Sequence, residues 1–242
     1  PQAVEIAANA ARQLRTDLRR TKRPASFLFV GPTGVGKTEM CKALAEALFD
    51  DAEALIRVDM GEYKDESSVA GLIGSRPGLV GSDEGGFLTE RVRRQPYSVV
   101  LFDEVEKGHP QVLDLLLGVL GEGRLTDAKG RFCDFSNAMV ILTSNLGVRE
   151  ANEYTDDPTK KSDIILEVVK ASLRPEFFNR LDEVVCFNAL DQTILARIVT
   201  RGLSDLRTKL EEEHGLQLVV EEAAIEHLAE AAYDPAYGAR PV

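Results

Sequence analysis

The sequence predicts an α/β fold: a five-stranded parallel sheet flanked by helices, followed by a small, mostly helical domain. Three observations carry that expectation. Five short apolar runs alternate with helical patterns, and strands alternating with helices build a parallel sheet with crossover helices. The first run leads straight into GPTGVGKT, residues 31–38, a glycine-rich stretch that opens a helix. The third run ends in Asp103-Glu104.

The runs are Ser26–Val30, Leu55–Asp59, Ser98–Asp103, Ala138–Ser144 and Glu183–Phe187. Three are almost unbroken in apolar residues, as strands covered on both faces are. Met40, Leu44 and Leu48 recur every four residues after the glycine-rich stretch, and Val112, Leu115, Leu116, Val119 and Leu120 mark a helix after Pro110. Three inserts read as loops or arms. Arg76–Gly86 holds four glycines and a proline, Leu125–Ser136 forms two extended arms about Lys129-Gly130, and Asn152–Ser162 is polar and acidic. Beyond Leu190 the pattern changes. An amphipathic helix over Asp191–Leu210 carries Ile194, Ile198, Leu203, Leu206 and Leu210 on one side; a short strand at 216–220 and a helix at Ala223–Ala232 follow. The expected division is 1–189 for a large α/β domain and 190–242 for the small one. The chain opens at Pro1 without methionine and closes on GARPV, which reads as an excerpt truncated within its small domain.

With 44% hydrophobic and 29% charged residues in 242, the composition is that of a globular domain. No apolar run reaches the roughly 18 residues needed to span a bilayer, so no membrane partner is expected. A net charge of -11 disfavours a nucleic-acid binder, whose affinity rests on lysine and arginine against phosphates. Cys41, Cys133 and Cys186 are far apart and match no metal-ligand spacing, which points to reduced thiols and a cytoplasmic setting. His109, His214 and His227 form no ligand set and read as structural or solvated.

Residues 31–38 fit G-x-x-x-x-G-K-[ST]. Glycines in this pattern let the loop curl so that the N–H groups of Thr33, Gly34, Val35 and Gly36 face phosphate oxygens. Lys37 reaches the β- and γ-phosphates and Thr38 offers a hydroxyl to Mg²⁺. The positive end of the following helix adds to the attraction. SVVLFDE, residues 98–104, supplies the acidic half of such a site. Asp103 would hold Mg²⁺ and Glu104 would take a proton from the attacking water. An Asp-Glu pair favours hydrolysis over transfer to a second substrate. No N-K-x-D is present, which favours ATP/ADP over guanine nucleotides.

Four further stretches complete a likeness: GRLTDAKGR (123–131), TSNLG (143–147), RPEFFNRLDEVV (174–185) and YDPAYGARP (233–241). Together with GPTGVGKTE and VLFDEVEKGHP they make the chain resemble the second ATPase module of a Clp-type AAA+ unfoldase, closest to the ClpB disaggregase group. The resemblance covers almost the whole chain. It implies a P-loop ATPase with a small lid domain, Mg²⁺-dependent hydrolysis of ATP, and a homo-oligomeric ring, expected to be a hexamer, that threads unfolded or aggregated protein through a central pore. It implies that Asn145 is the polar sensor beside the γ-phosphate. Arg180 is the arginine finger offered to the neighbouring subunit, and Arg240 the lid arginine. Adenine is expected between the two domains, with Ile198 as an apolar contact.

Gly78-Leu79-Val80-Gly81 matches the pore loop of that family, with one departure: Leu79 stands where an aromatic residue is usual. An apolar side chain still grips by burying area but lacks the flat ring. Val148–Leu173 contains no glycine and hence no peptidase-docking tripeptide, so a stand-alone machine without a Clp peptidase is expected. The competing readings are a specialised remodeller such as the ATPase that disassembles type VI secretion sheaths, a nucleotide-gated assembly module with weak turnover, and a DNA-directed loader.

Overall fold

The computed structural model describes residues 22–75, 85–155 and 157–231, together with Glu5 and Asn9. The described residues fall into two compact units. The first holds those up to Gly31 and Lys37–Phe187; the second holds Pro32–Gly36 and those from Asn188 onward.

The first unit is built on a five-stranded sheet in the order β2-β3-β6-β1-β7. Its strands are β1 (Ala25–Val30), β2 (Leu55–Asp59), β3 (Val99–Asp103), β6 (Met139–Ser144) and β7 (Glu183–Cys186), all parallel to their neighbours. Every residue of β1, β3 and β6 is buried, whereas edge strands β2 and β7 are buried only in part. This is why the central runs read as almost unbroken apolar sequence: helices cover both of their faces. Phe29, Phe102, Leu101 and Met139 are among the largest fully buried side chains. The covering helices include α1 (Lys37–Phe49), α2 (Glu66–Ile73), α3 (Phe87–Arg94), α4 (Pro110–Glu122), α5 (Val148–Tyr154), α6 (Pro158–Ser172) and the short α7 (Pro175–Phe178).

α4 shows how sequence sets an element's limits. Pro110 occupies its first turn, the His109 imidazole accepts a hydrogen bond from the Gln111 N–H at 3.3 Å, and Gly123 ends it in the left-handed conformation. His109 is thus a helix cap, as a structural histidine should be. β4 (Arg124–Thr126) and β5 (Phe132–Asp134) then pair antiparallel, matching the two arms expected about Lys129-Gly130. The Asp127 carboxylate holds that turn. It accepts from the N–H groups of Lys129 (3.0 Å) and Arg131 (2.8 Å) and from the Arg93 and Arg131 guanidiniums. Burial alone would raise the pKa of this carboxyl; the four donors outweigh it and hold the group below the usual carboxylate range.

The hairpin turn is also joined to the base of the glycine-rich segment that precedes α3. The Ala128 N–H donates to the Ile73 carbonyl at 3.0 Å, and Gly74 bridges Gly85. Gly86 lies so close to this base that an added Cβ would sit 2.3 Å from the Ile73 carbonyl carbon. Gly78–Gly81 lie outside the described residues.

Two expectations are corrected in the connections. Asn152–Ser162 is not a loop. α5 runs to Tyr154 and α6 starts at Pro158, because Asp157 caps the Thr159 N–H at 2.9 Å and Pro158 is preset for a first turn. In the second unit, 216–220 forms no strand. Among the described residues no strand lies beside it to complete a ladder, and the Leu218 carbonyl accepts from the Arg207 side chain at 2.9 Å.

The second unit otherwise pairs α8 (Gln192–His214) with α9 (Glu222–Ala231). Asp191 caps α8 through the Ile194 N–H at 2.8 Å. The buried seam is Leu195, Val199 and Ala229, with Leu203 and Ile225 packed against it. The stripe is therefore shifted one residue from the expected Ile194–Ile198 side. Both stripes repeat every four residues, so periodicity alone could not choose between them; α9 does. No helix among the described residues is long and apolar enough to cross a membrane.

Candidate active site

The site lies at the carboxyl ends of β1, β3 and β6. β1 passes into Gly31, whose N–H donates to the Ser144 carbonyl at 3.2 Å. A Cβ at Gly31 would come 2.4 Å from the Phe187 carbonyl oxygen, and φ is +153°. Gly34 and Gly36 take φ of +75° and +94°, so the loop depends on glycine to curl into the first turn of α1.

Lys37 begins that helix and is 8% exposed. Its ammonium donates to the Gly31 carbonyl and, at 2.7 Å, to the Asn145 Oδ1. Asn145, just past β6, reaches the other way with its amide, which donates to Glu104 Oε1 at 3.2 Å. Its backbone N–H is held by Glu106 Oε1 at 3.0 Å. Lys37, Asn145 and Glu104 are thus one hydrogen-bonded row across three strand ends.

Asp103 closes β3 and is 7% exposed. Its Oδ1 accepts from the Thr143 hydroxyl at 2.6 Å. Its Oδ2 accepts from Arg57 Nε at 3.1 Å and Nη2 at 2.7 Å. Glu104 follows at φ 58°, ψ 60°, a left-handed conformation that costs a non-glycine residue about 1–3 kcal/mol. The Glu104 N–H donates to the Thr143 hydroxyl oxygen at 2.9 Å. Its Oε2 accepts from Lys107 Nζ at 2.6 Å, a bond that is the leading reason the Lys107 ammonium holds its proton more tightly than usual. Cys41, buried on α1, is pushed up strongly, by burial first and by the Asp103 charge second. It is an inert thiol.

These residues fit a nucleotide and its cation. A buried ammonium at a helix start, directly after a glycine-rich stretch of sequence, suits a phosphate chain. A carboxylate held by a half-exposed arginine, with the Thr38 hydroxyl on α1, suits a cation that takes its other ligands from phosphate and water. Among the described residues no group of three or more metal-ligating side chains exists.

Arg180 donates from its guanidinium to the Leu117 carbonyl on α4, not to this cluster. Ile198 is half-buried on α8 in the second unit. Arg240 falls outside the described residues. The sequence reading missed Arg57, Thr143, Glu106 and Lys107. Arg57 had a visible signal, a cation inside an apolar run. Thr143 opens the TSNLG stretch, but its two partners, Asp103 and Glu104, lie 40 and 39 residues away along the chain, so no signal in the sequence marked its role.

Residues 22–184 match the family model described as AAA domain (Cdc48 subfamily). The chain belongs to the AAA ATPase family. Residues 190–242 of this AAA module match a second model, described as the C-terminal, D2-small domain of ClpB protein. The Chaperone protein ClpB of Pseudomonas putida is 52% identical over 242 residues, which covers the whole chain and 28% of that relative. Those of Vibrio vulnificus and Rhodopirellula baltica are 50% and 49% identical over 244 and 245 residues, again across the whole chain and 28% of each relative. The module therefore spans less than a third of the length of these curated relatives. Nucleotide binding belongs to the family.

Proposed function

We propose that this module hydrolyses ATP with Mg²⁺ and works within a ring-forming, ClpB-like disaggregase that acts on unfolded or aggregated protein in the cytoplasm. The Lys37–Asn145–Glu104 row carries the reading. It joins a phosphate-binding cation to a carboxylate through an amide that contacts both, as hydrolysis at a terminal phosphate requires. Lys37 and the N–H groups of residues 33–36 hold the triphosphate. Thr38 and Asp103 hold Mg²⁺, which neutralises charge on the β- and γ-phosphates when bound. Glu104 exchanges its bond with Lys107 for a water and accepts that water's proton. Asn145 keeps the carboxylate and the ammonium in fixed relation. Arg180 adds positive charge to the site of a neighbouring copy.

Identity near 50% to chaperone ClpB across the whole chain supports the disaggregase reading over the sheath remodeller and the assembly module. A hexameric ring, threading by Gly78–Gly81 and independence from a peptidase are parts of the same proposal. The test is reactivation of a heat-aggregated reporter enzyme by the full-length protein with ATP and Mg²⁺. Recovery of reporter activity that stops without ATP is the expected result. ATP-driven assembly with no recovery of the reporter would overturn the proposal in favour of a scaffold.

A further inference from the structure

We propose that Thr143 is the positioning residue that sets both carboxylates of the site; the inference rests on the ATPase reading above. Thr143 is fully buried on β6. The strand register explains its place: Phe102 lies opposite Leu142, so Asp103 lies beside Thr143.

The direction of its two hydrogen bonds follows from chemistry alone. The Glu104 backbone N–H can only donate, so the Thr143 oxygen must accept there, at 2.9 Å. An ionised Asp103 carboxylate can only accept, so the hydroxyl proton must point to its Oδ1, at 2.6 Å. One hydroxyl therefore faces Asp103 with its proton and Glu104 with a lone pair. Asp103 thereby keeps one oxygen tied back and its other oxygen on the Arg57 side, where a cation can compete. Glu104 is pinned by its backbone in the left-handed conformation that turns its side chain toward Asn145. Serine preserves both bonds, and valine removes both at equal volume.

The experiment uses the full-length protein and four variants. Thr143→Val is expected to lower kcat by roughly 10- to 100-fold, the scale of losing a hydrogen bond to a charged group. KM should stay within about twofold, the magnesium concentration for half-maximal rate should rise, and Thr143→Ser should restore both. Hydrogen exchange at the peptide carrying Glu104 should accelerate in Thr143→Val and return to normal in Thr143→Ser. Val140→Ala, on the same strand and equally buried, controls for lost packing; it should lower Tm and leave kcat unchanged. If Thr143→Val does not fold, Thr143→Cys takes its place and should fall between serine and valine. A kcat within twofold of the parent, a kcat loss in Val140→Ala as large as in Thr143→Val, or unaltered exchange at Glu104 would overturn the proposal. If the parent itself does not turn over ATP, the ATPase reading fails alone, and the exchange measurement still decides whether Thr143 holds Glu104.

Discussion

Glu104→Gln is expected to bind ATP as the parent does and to hydrolyse it about 10²–10⁴-fold more slowly, the range for loss of a positioned general base. Glutamine has nearly the same shape, and its Oε1 can still accept from the Asn145 amide, the bond that ties Glu104 to Lys37 through Asn145. The backbone at φ 58° and its bond to Thr143 are untouched. What disappears is the ability to accept a proton, together with the ion pair to Lys107. Binding and turnover therefore separate in this variant. Phosphate release and equilibrium binding of a fluorescent ATP analogue measure the two. A variant that keeps more than about half of the parent rate would remove Glu104 from the reaction. Slow turnover with intact binding should also leave unfolded protein trapped on an ATP-bound oligomer.

Arg180→Ala is expected to lower the rate by roughly 10³–10⁵, the scale of an arginine finger in GTPases. Arg180 rests on α4, where its guanidinium donates to the Leu117 carbonyl and lies against Gly121; a Cβ there would come within 2.8 Å of Nη1. The guanidinium is thus aimed by its own subunit without bonding to Lys37, Asp103 or Glu104. Such an arginine raises the rate only by entering another copy's site, so the parent's activity per subunit should climb with protein concentration. In Arg180→Ala it should stay low at every concentration while nucleotide affinity is kept. A concentration-independent rate, equal in both proteins, would assign Arg180 to the packing of α4 alone.

What could be read from sequence follows from where each signal lies. β1, β3 and β6 announced themselves because strands covered on both faces are apolar at most positions. Lys37, Asp103 and Glu104 could be expected at one end of the sheet because each sits in a short contiguous motif that closes or follows a strand. The partners of Asp103 were not, because Arg57 and Thr143 reach it only through the order β2-β3-β6-β1-β7, which no spacing along the chain reveals. Helix faces were ambiguous for a related reason. Leu195 and Val199, not Ile194 and Ile198, meet Ala229, a choice made by the packing of α9. The 216–220 run looked like a strand because its composition suits one, but a strand requires a neighbour to hydrogen-bond with.

The central claim is that Lys37, at the mouth of its glycine loop, holds the phosphates of ATP. Titration of the parent and of Lys37→Ala with a fluorescent ATP analogue in the presence of Mg²⁺ tests it most directly. Saturable binding by the parent and a loss of at least roughly tenfold in affinity in the variant, the least when a buried charge-assisted contact is removed, are the expected results. Equal affinity in the two proteins would contradict it.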